Sequence, residues 1–154
     1  MRFMAELQAR AVEEPERKAA WDAYLREHHA LAYAIENGTL DDVRALLAAG
    51  ADPDGPDVVG APCMLATAAS GSVAVLNAML DAGASIDAQS SYRTTALWIA
   101  ANVDDAAMAR ALLARGANPT LANDVGEPPW SRCNDPVLGR ELREATDRWP
   151  ARSL

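Results

Sequence analysis

A nine-residue phrase recurs three times in this chain: LLAAGADPD from Leu46, MLDAGASID from Met79 and LLARGANPT from Leu112. Its glycines, Gly50, Gly83 and Gly116, lie 33 residues apart, twice in succession. A second phrase keeps the same register. Thr95-Ala96-Leu97-Trp98-Ile99-Ala100 has its counterparts 33 residues earlier, at Pro62-Cys63-Met64-Leu65-Ala66-Thr67, and 33 later, at Pro128-Pro129-Trp130. Self-similarity at this period marks a solenoid, in which each unit buries its apolar face only against its neighbours.

Within each unit the apolar spacing is helical. Leu31, Ala32 and Ile35 predict a short first helix that stops at Asn37-Gly38. Thr39 and Asp42, three apart, suit the start of a second helix carrying Leu40, Val43, Leu46 and Leu47 on one face. Val73, Leu76, Met79 and Leu80 hold the same places one period on, and Ala106, Ala109, Leu112 and Leu113 two periods on. That third column is thin, so a gap or a closer helix approach is expected there. Gly50 ends the first copy with a positive-φ residue, and Asp52 to Asp57 form a turn-rich excursion.

Outside the register, Pro15 opens a helix with Trp21, Tyr24, Leu25 and His28 on one face, fit to cap the stack. Asp135-Pro136 starts another, with Leu138, Leu142 and Ala145. The resulting organisation is an N-terminal cap over 1–28, repeats at 29–61, 62–94 and 95–127, and a degenerate capping repeat with a frayed tail over 128–154. The expected class is all-α.

The two phrases together resemble the ankyrin-repeat family: the period is that family's, and Thr95–Ala100 follows its T-P-L-H-x-A motif with Trp98 in the histidine's place. The resemblance implies a protein-binding module that uses hairpin tips and the inner helices of a concave face. Position by position, the tips fall at Pro56–Ala61, Gln89–Thr94 and Ala122–Glu127. The concave pairs fall at Glu36/Asn37, Ala69/Ser70 and Asn102/Val103. Expected contact residues are Asp57, Val58, Val59, Ala69, Ser70, Gln89, Ser91, Tyr92, Arg93, Asn102, Val103, Asp124, Val125 and Glu127. Gly60 and Gly126 match the family's tip glycine, but Arg93 replaces it, which leaves the middle hairpin's shape open. Trp98 and Trp130 are expected to pack between repeats.

Charge narrows the partner. The chain carries a net −8, and residues 30–127, with four arginines against twelve acids, account for all of it. Such an array repels phosphate backbones and favours a basic protein partner over nucleic acid. No apolar run is long enough to span a membrane, and the N-terminus lacks a secretory signal's apolar stretch. Cys63 and Cys133 have no metal-ligand spacing and read as reduced thiols in a cytoplasmic protein.

Catalytic constellations are weak. Asp41/Asp42 and Asp104/Asp105 sit where carboxylates stabilise helix starts. His28 and His29 are adjacent and so diverge, with no third ligand. Cys63 at a helix start could be a low-pKa thiol or a buried structural one. The expectation is therefore no enzyme, no cofactor and no metal. The chain is expected to be a monomer when free that acts by masking its partner. By analogy with small acidic ankyrin proteins of bacteria, the sharpest form of that role is an immunity protein neutralising a basic toxin. The alternatives are a self-associating adaptor and, remotely, an enzyme with its site in the flanks.

Overall fold

A computed structural model describes residues 15–150. The expectations for residues 1–14 and for a frayed 151–154 lie outside the described residues. Among the described residues eight α-helices follow in order: α1 Pro15–His28, α2 Ala30–Asn37, α3 Leu40–Ala48, α4 Cys63–Ser70, α5 Val73–Asp81, α6 Ala96–Asn102, α7 Ala106–Ala114 and α8 Pro136–Arg148, with a 3₁₀ turn at Pro129–Arg132 before the last. No strand occurs among the described residues; a lone antiparallel bridge joins Pro56 to Pro62. None of the described helices is long and apolar enough to cross a membrane.

The helices stack in two rows. Inner helices α2, α4 and α6 pack side by side, with α1 before them and the 3₁₀ turn after; outer helices α3, α5 and α7 form the second row. Side chains cap several of the helix starts along this path. Thr39 and Asp42 close a reciprocal capping box, the Thr39 amide donating to Asp42 Oδ2 at 2.8 Å and the Asp42 amide to Thr39 Oγ1 at 3.2 Å. Ser72, Thr95 and Asp105 accept from the amides of Val75, Trp98 and Met108. Gly50, Gly83 and Gly116 end the outer helices at φ of 94°, 95° and 89°, a conformation that L side chains resist.

Between the rows, Met64, Leu76, Met79, Leu97, Leu112 and Leu142 are fully buried, and Ala96, Ala100, Ala101 and Ala109 are buried beside them. Met108, one place before the thin alanine column, is fully buried as well and adds bulk there. Carboxylates tie successive repeats together. Asp54 accepts from the Ser85 amide at 2.6 Å and hydroxyl at 2.8 Å; Asp87, one period on, accepts from the Asn118 amide at 2.9 Å. On the outer row Arg115 reaches Asp81 at 2.8 Å, and Arg110 makes a two-bond pair with Glu141 at 2.8 and 3.0 Å.

The N-terminal cap differs from expectation. α1 packs on α2 yet has no fully buried residue: Trp21 and Leu25 are half-buried, while Tyr24 and His28 are exposed. Trp21 stacks on Tyr24 at 5.6 Å, and His28 meets Tyr24 edge-on at 4.4 Å. The aromatic side chains thus satisfy one another more than they cover the core. α8 is the firmer cap, with Leu138 and Leu142 fully buried.

Candidate protein-binding surface

Each tip is built by one side chain closing on its own backbone. Asp57 Oδ1 accepts from the amides of Val59 at 2.9 Å and Ala61 at 2.8 Å. One period on, Ser90 Oγ accepts from Tyr92 at 3.2 Å and Thr94 at 3.3 Å; one more, Asn123 Oδ1 accepts from Val125 at 3.2 Å and Glu127 at 2.8 Å. These side-chain turns are the local motif that Asp, Ser and Asn favour. The same backbone bond closes each tip: Asp57 to Ala61, Ser90 to Thr94, Asn123 to Glu127.

Arg93 keeps this geometry. Its φ is 57°, against 83° for both Gly60 and Gly126, so the middle hairpin has the shape of its neighbours and carries a left-handed arginine. Gln89 Nε2 donates to the Arg93 carbonyl at 3.2 Å and helps to hold it.

Each tip presents an exposed apolar residue at the same place, again in register. Val59, Tyr92 and Val125 are spaced by 33 and are 71%, 68% and 73% exposed. A backbone bond from the Asp124 amide to the Tyr92 carbonyl at 2.9 Å joins the second and third tips directly. Val58, Ser91 and Asp124 share the neighbouring position and are exposed too, Val58 at 37%. Glu127 is half-buried, with its carboxylate 3.6 Å from Arg132. Asp57 is half-buried and holds the turn. The expectation that it serves as a contact residue therefore needs qualifying, because its carboxylate is already committed to backbone.

The expected concave residues Ala69, Ser70, Asn102 and Val103 are all exposed, and Val103 stands out as an apolar one. They lie at the far ends of the inner helices, about 12 Å from the tips for an eight-residue helix. The candidate residues thus form two rows. The sequence signal that unites Val59, Tyr92 and Val125 is the 33-residue register itself, which single-tip reasoning overlooks.

The suspected chemical groups are structural. Cys63 is buried, and burial first, then the carboxylates of Asp57, Glu36 and Asp52, push its thiol up to about 11. The low-pKa alternative fails for that reason. Asp42 is held below the usual carboxylate range by the Thr39 amide and hydroxyl. Asp105 caps α7, whereas Asp104 does something its sequence position does not suggest. At a φ of 56° its carboxylate accepts from the amides of Asn134 at 2.7 Å and Asp135 at 2.9 Å, from Asn134 Nδ2 at 3.2 Å, and from the Cys133 thiol at 3.2 Å. Those bonds, the Asp135 amide foremost, depress its pKa. Burial and the Asp104 carboxylate raise the Cys133 thiol to about 11. No group of three or more His, Cys, Asp or Glu suited to a metal ion lies together among the described residues.

Trp98, in the motif's histidine place, is half-buried and donates from Nε1 to the Glu127 carbonyl at 3.2 Å, tying α6 to the third tip. Trp130 lies under the Arg143 guanidinium at 4.4 Å from the ring centre. Both are occupied in packing.

Comparison with known proteins agrees with this architecture. The structure is similar to the ankyrin repeat domain of Bcl-3, described as a unique member of the IkappaB protein family, with a TM-score of 0.69 and 26% identity over 74% of this chain. The chain spans 50% of that domain's length. A family model of ankyrin repeats, in three copies, matches residues 31–123, more than half of the sequence. With three helix pairs stacked in one register and the matching residues running through all of them, the chain belongs to the ankyrin-repeat family, whose repeats indicate a protein-binding module.

Proposed function

We propose that this protein binds a partner protein along its tip row and acts by covering the partner's surface. The observation that carries the reading is the exposure of Val59, Tyr92 and Val125 at matched positions of three successive tips. Large side chains kept in water at equivalent places contribute nothing to the core, whereas tyrosine flanked by arginine has the composition of an interface anchor. Glu36, Asp52, Asp124 and Glu127 lend the surface an acidic field that suits a basic partner. Neutralisation of a basic toxin is the sharpest form of this role, and its mark is a complex whose affinity falls as salt rises.

The test is a paired pull-down from the source lysate, with wild-type protein and the Tyr92→Ala variant as baits. A species retained by the first and lost from the second is the expected result. A species held equally by both would place the contact elsewhere. A second reading, self-association, is favoured by the half-exposed Trp21–Tyr24 stack on α1. Sedimentation across micromolar dilution decides it: a mass that stays monomeric removes it.

A further inference from the structure

We infer that the tip row fits an amphipathic α-helix of the partner, with apolar side chains one heptad apart, basic residues towards its two ends and an acidic residue at its middle. This rests on the reading of the tips as the binding surface and adds the shape and charge order of what binds there.

Spacing decides the backbone. Helices packed side by side lie about 8–10 Å apart, so tips carried by successive repeats step by about that distance. The Asp124 to Tyr92 backbone bond confirms that the second and third tips are immediate neighbours. A helix returns a side chain to the same face after seven residues, about 10.5 Å on. A strand does so at about 6.6 or 13 Å and falls out of step at once. A polyproline II segment repeats every three residues, about 9 Å, and matches the step. It is recognised, however, by aromatic-lined grooves, and this row offers two valines and one tyrosine.

Charge sets the order. At the first tip the charged residue is Asp57, half-buried and bonded to the tip's own amides. At the second, the charged residue beside Tyr92 is Arg93, exposed and held at positive φ where glycine would fit without strain. At the third, the exposed Asp124 stands beside Val125, while Glu127 is paired with Arg132. The row therefore reads acidic, basic, acidic. A strained side chain kept against an easier residue is a feature of functional positions. Here it would meet the acid at the middle of the partner helix.

The experiment is a selection from a displayed library of randomised peptides three heptads long, using the full chain as bait and Tyr92→Ala as counter-bait. Both baits are first checked for equal melting temperature. The expected winners carry apolar residues at i, i+7 and i+14, with Lys or Arg near the outer two and Asp or Glu near the central one. They become helical on binding by circular dichroism and lose roughly tenfold or more in affinity against Tyr92→Ala. Their affinity for Arg93→Glu also falls, and is restored when the central acid is changed to lysine. Proline-rich winners with a three-residue apolar period that still require Tyr92 would overturn the helix while leaving the tip surface standing. Winners indifferent to Tyr92→Ala would overturn the tip surface itself, and failure to enrich any sequence counts against both.

Discussion

Arg93 holds a left-handed backbone that glycine adopts freely, a conformation costing a non-glycine residue about 1–2 kcal/mol. Arg93→Gly is therefore expected to gain up to about 1 kcal/mol of unfolding free energy in urea melts, because glycine's greater freedom in the unfolded chain offsets part of the relief. The same change should weaken partner binding, so stability and affinity move in opposite directions. Asp57 and Asp124 provide the contrasting pair. Asp57→Ala removes the acceptor for two tip amides and is expected to cost about 1–2 kcal/mol, whereas Asp124→Ala, at an exposed carboxylate, should stay within about 0.5 kcal/mol. Equal effects of the two would show that the Asp57 turn is not what shapes the tip. Charge reversal for mapping an interface therefore belongs at Asp124.

At the scale of elements, Asp104 is the hinge pin of the C-terminal cap. It occupies the place that Gly38 and Gly71 hold in earlier repeats, and its strain is offset by four bonds to Cys133, Asn134 and Asp135 just ahead of α8. Asp104→Gly keeps a residue that adopts positive φ freely and removes both accepting oxygens, including the Oδ1 that takes both amides. Hydrogen exchange should then accelerate at the Asn134 and Asp135 amides while α4 and α5 keep their protection; unchanged exchange there would mean that Leu138 and Leu142 hold the cap unaided. The helix pairs and most of their caps were legible in the sequence, since Thr39, Ser72 and Asp105 act on amides within three residues. The places of the tips were legible from the period, but the turns that Asp57, Ser90 and Asn123 build there went unread, with Asp57 expected to be a contact residue instead. The Asp104 clamp was not, because its partners lie about thirty residues on, in a segment whose register decays. Nor was the shallow burial of α1: an apolar face at i, i+3, i+4, i+7 says which residues point together and nothing of how deep a neighbour they find.

For the molecule as a whole, the acidic excess is largely a building material. Asp42, Asp54, Asp57, Asp87, Asp104 and Asp105 each accept bonds that cap a helix, shape a tip or link two repeats. Asp42, Asp104 and, beside Arg110, Glu141 have pKa values below the usual carboxylate range. Their stabilisation is complete above that range and is lost as pH falls through the depressed values, so melting temperature should drop steeply below about pH 4. The thiols act at the other limb. Cys63 and Cys133 are raised to about 11, so the fold favours their neutral forms; that contribution is complete below the ordinary value of 9.0 and fades as pH rises towards 11. Replacing both with alanine should flatten the melting temperature between these limits relative to its own value at neutral pH, and an unchanged slope would remove the thiols as its cause.

The ladder from Asp54 to Ser85 and from Asp87 to Asn118 also has a direction. Each repeat hands a carboxylate to the one after it, and the series stops where Thr120 takes the aspartate's place. Residues 62–94 carry both halves of the joint, the receiving Ser85 and the giving Asp87. This middle unit can therefore be copied in tandem and still meet both neighbours, so the array is extensible from within, whereas a second copy of the third repeat would arrive at a threonine with no carboxylate to grip.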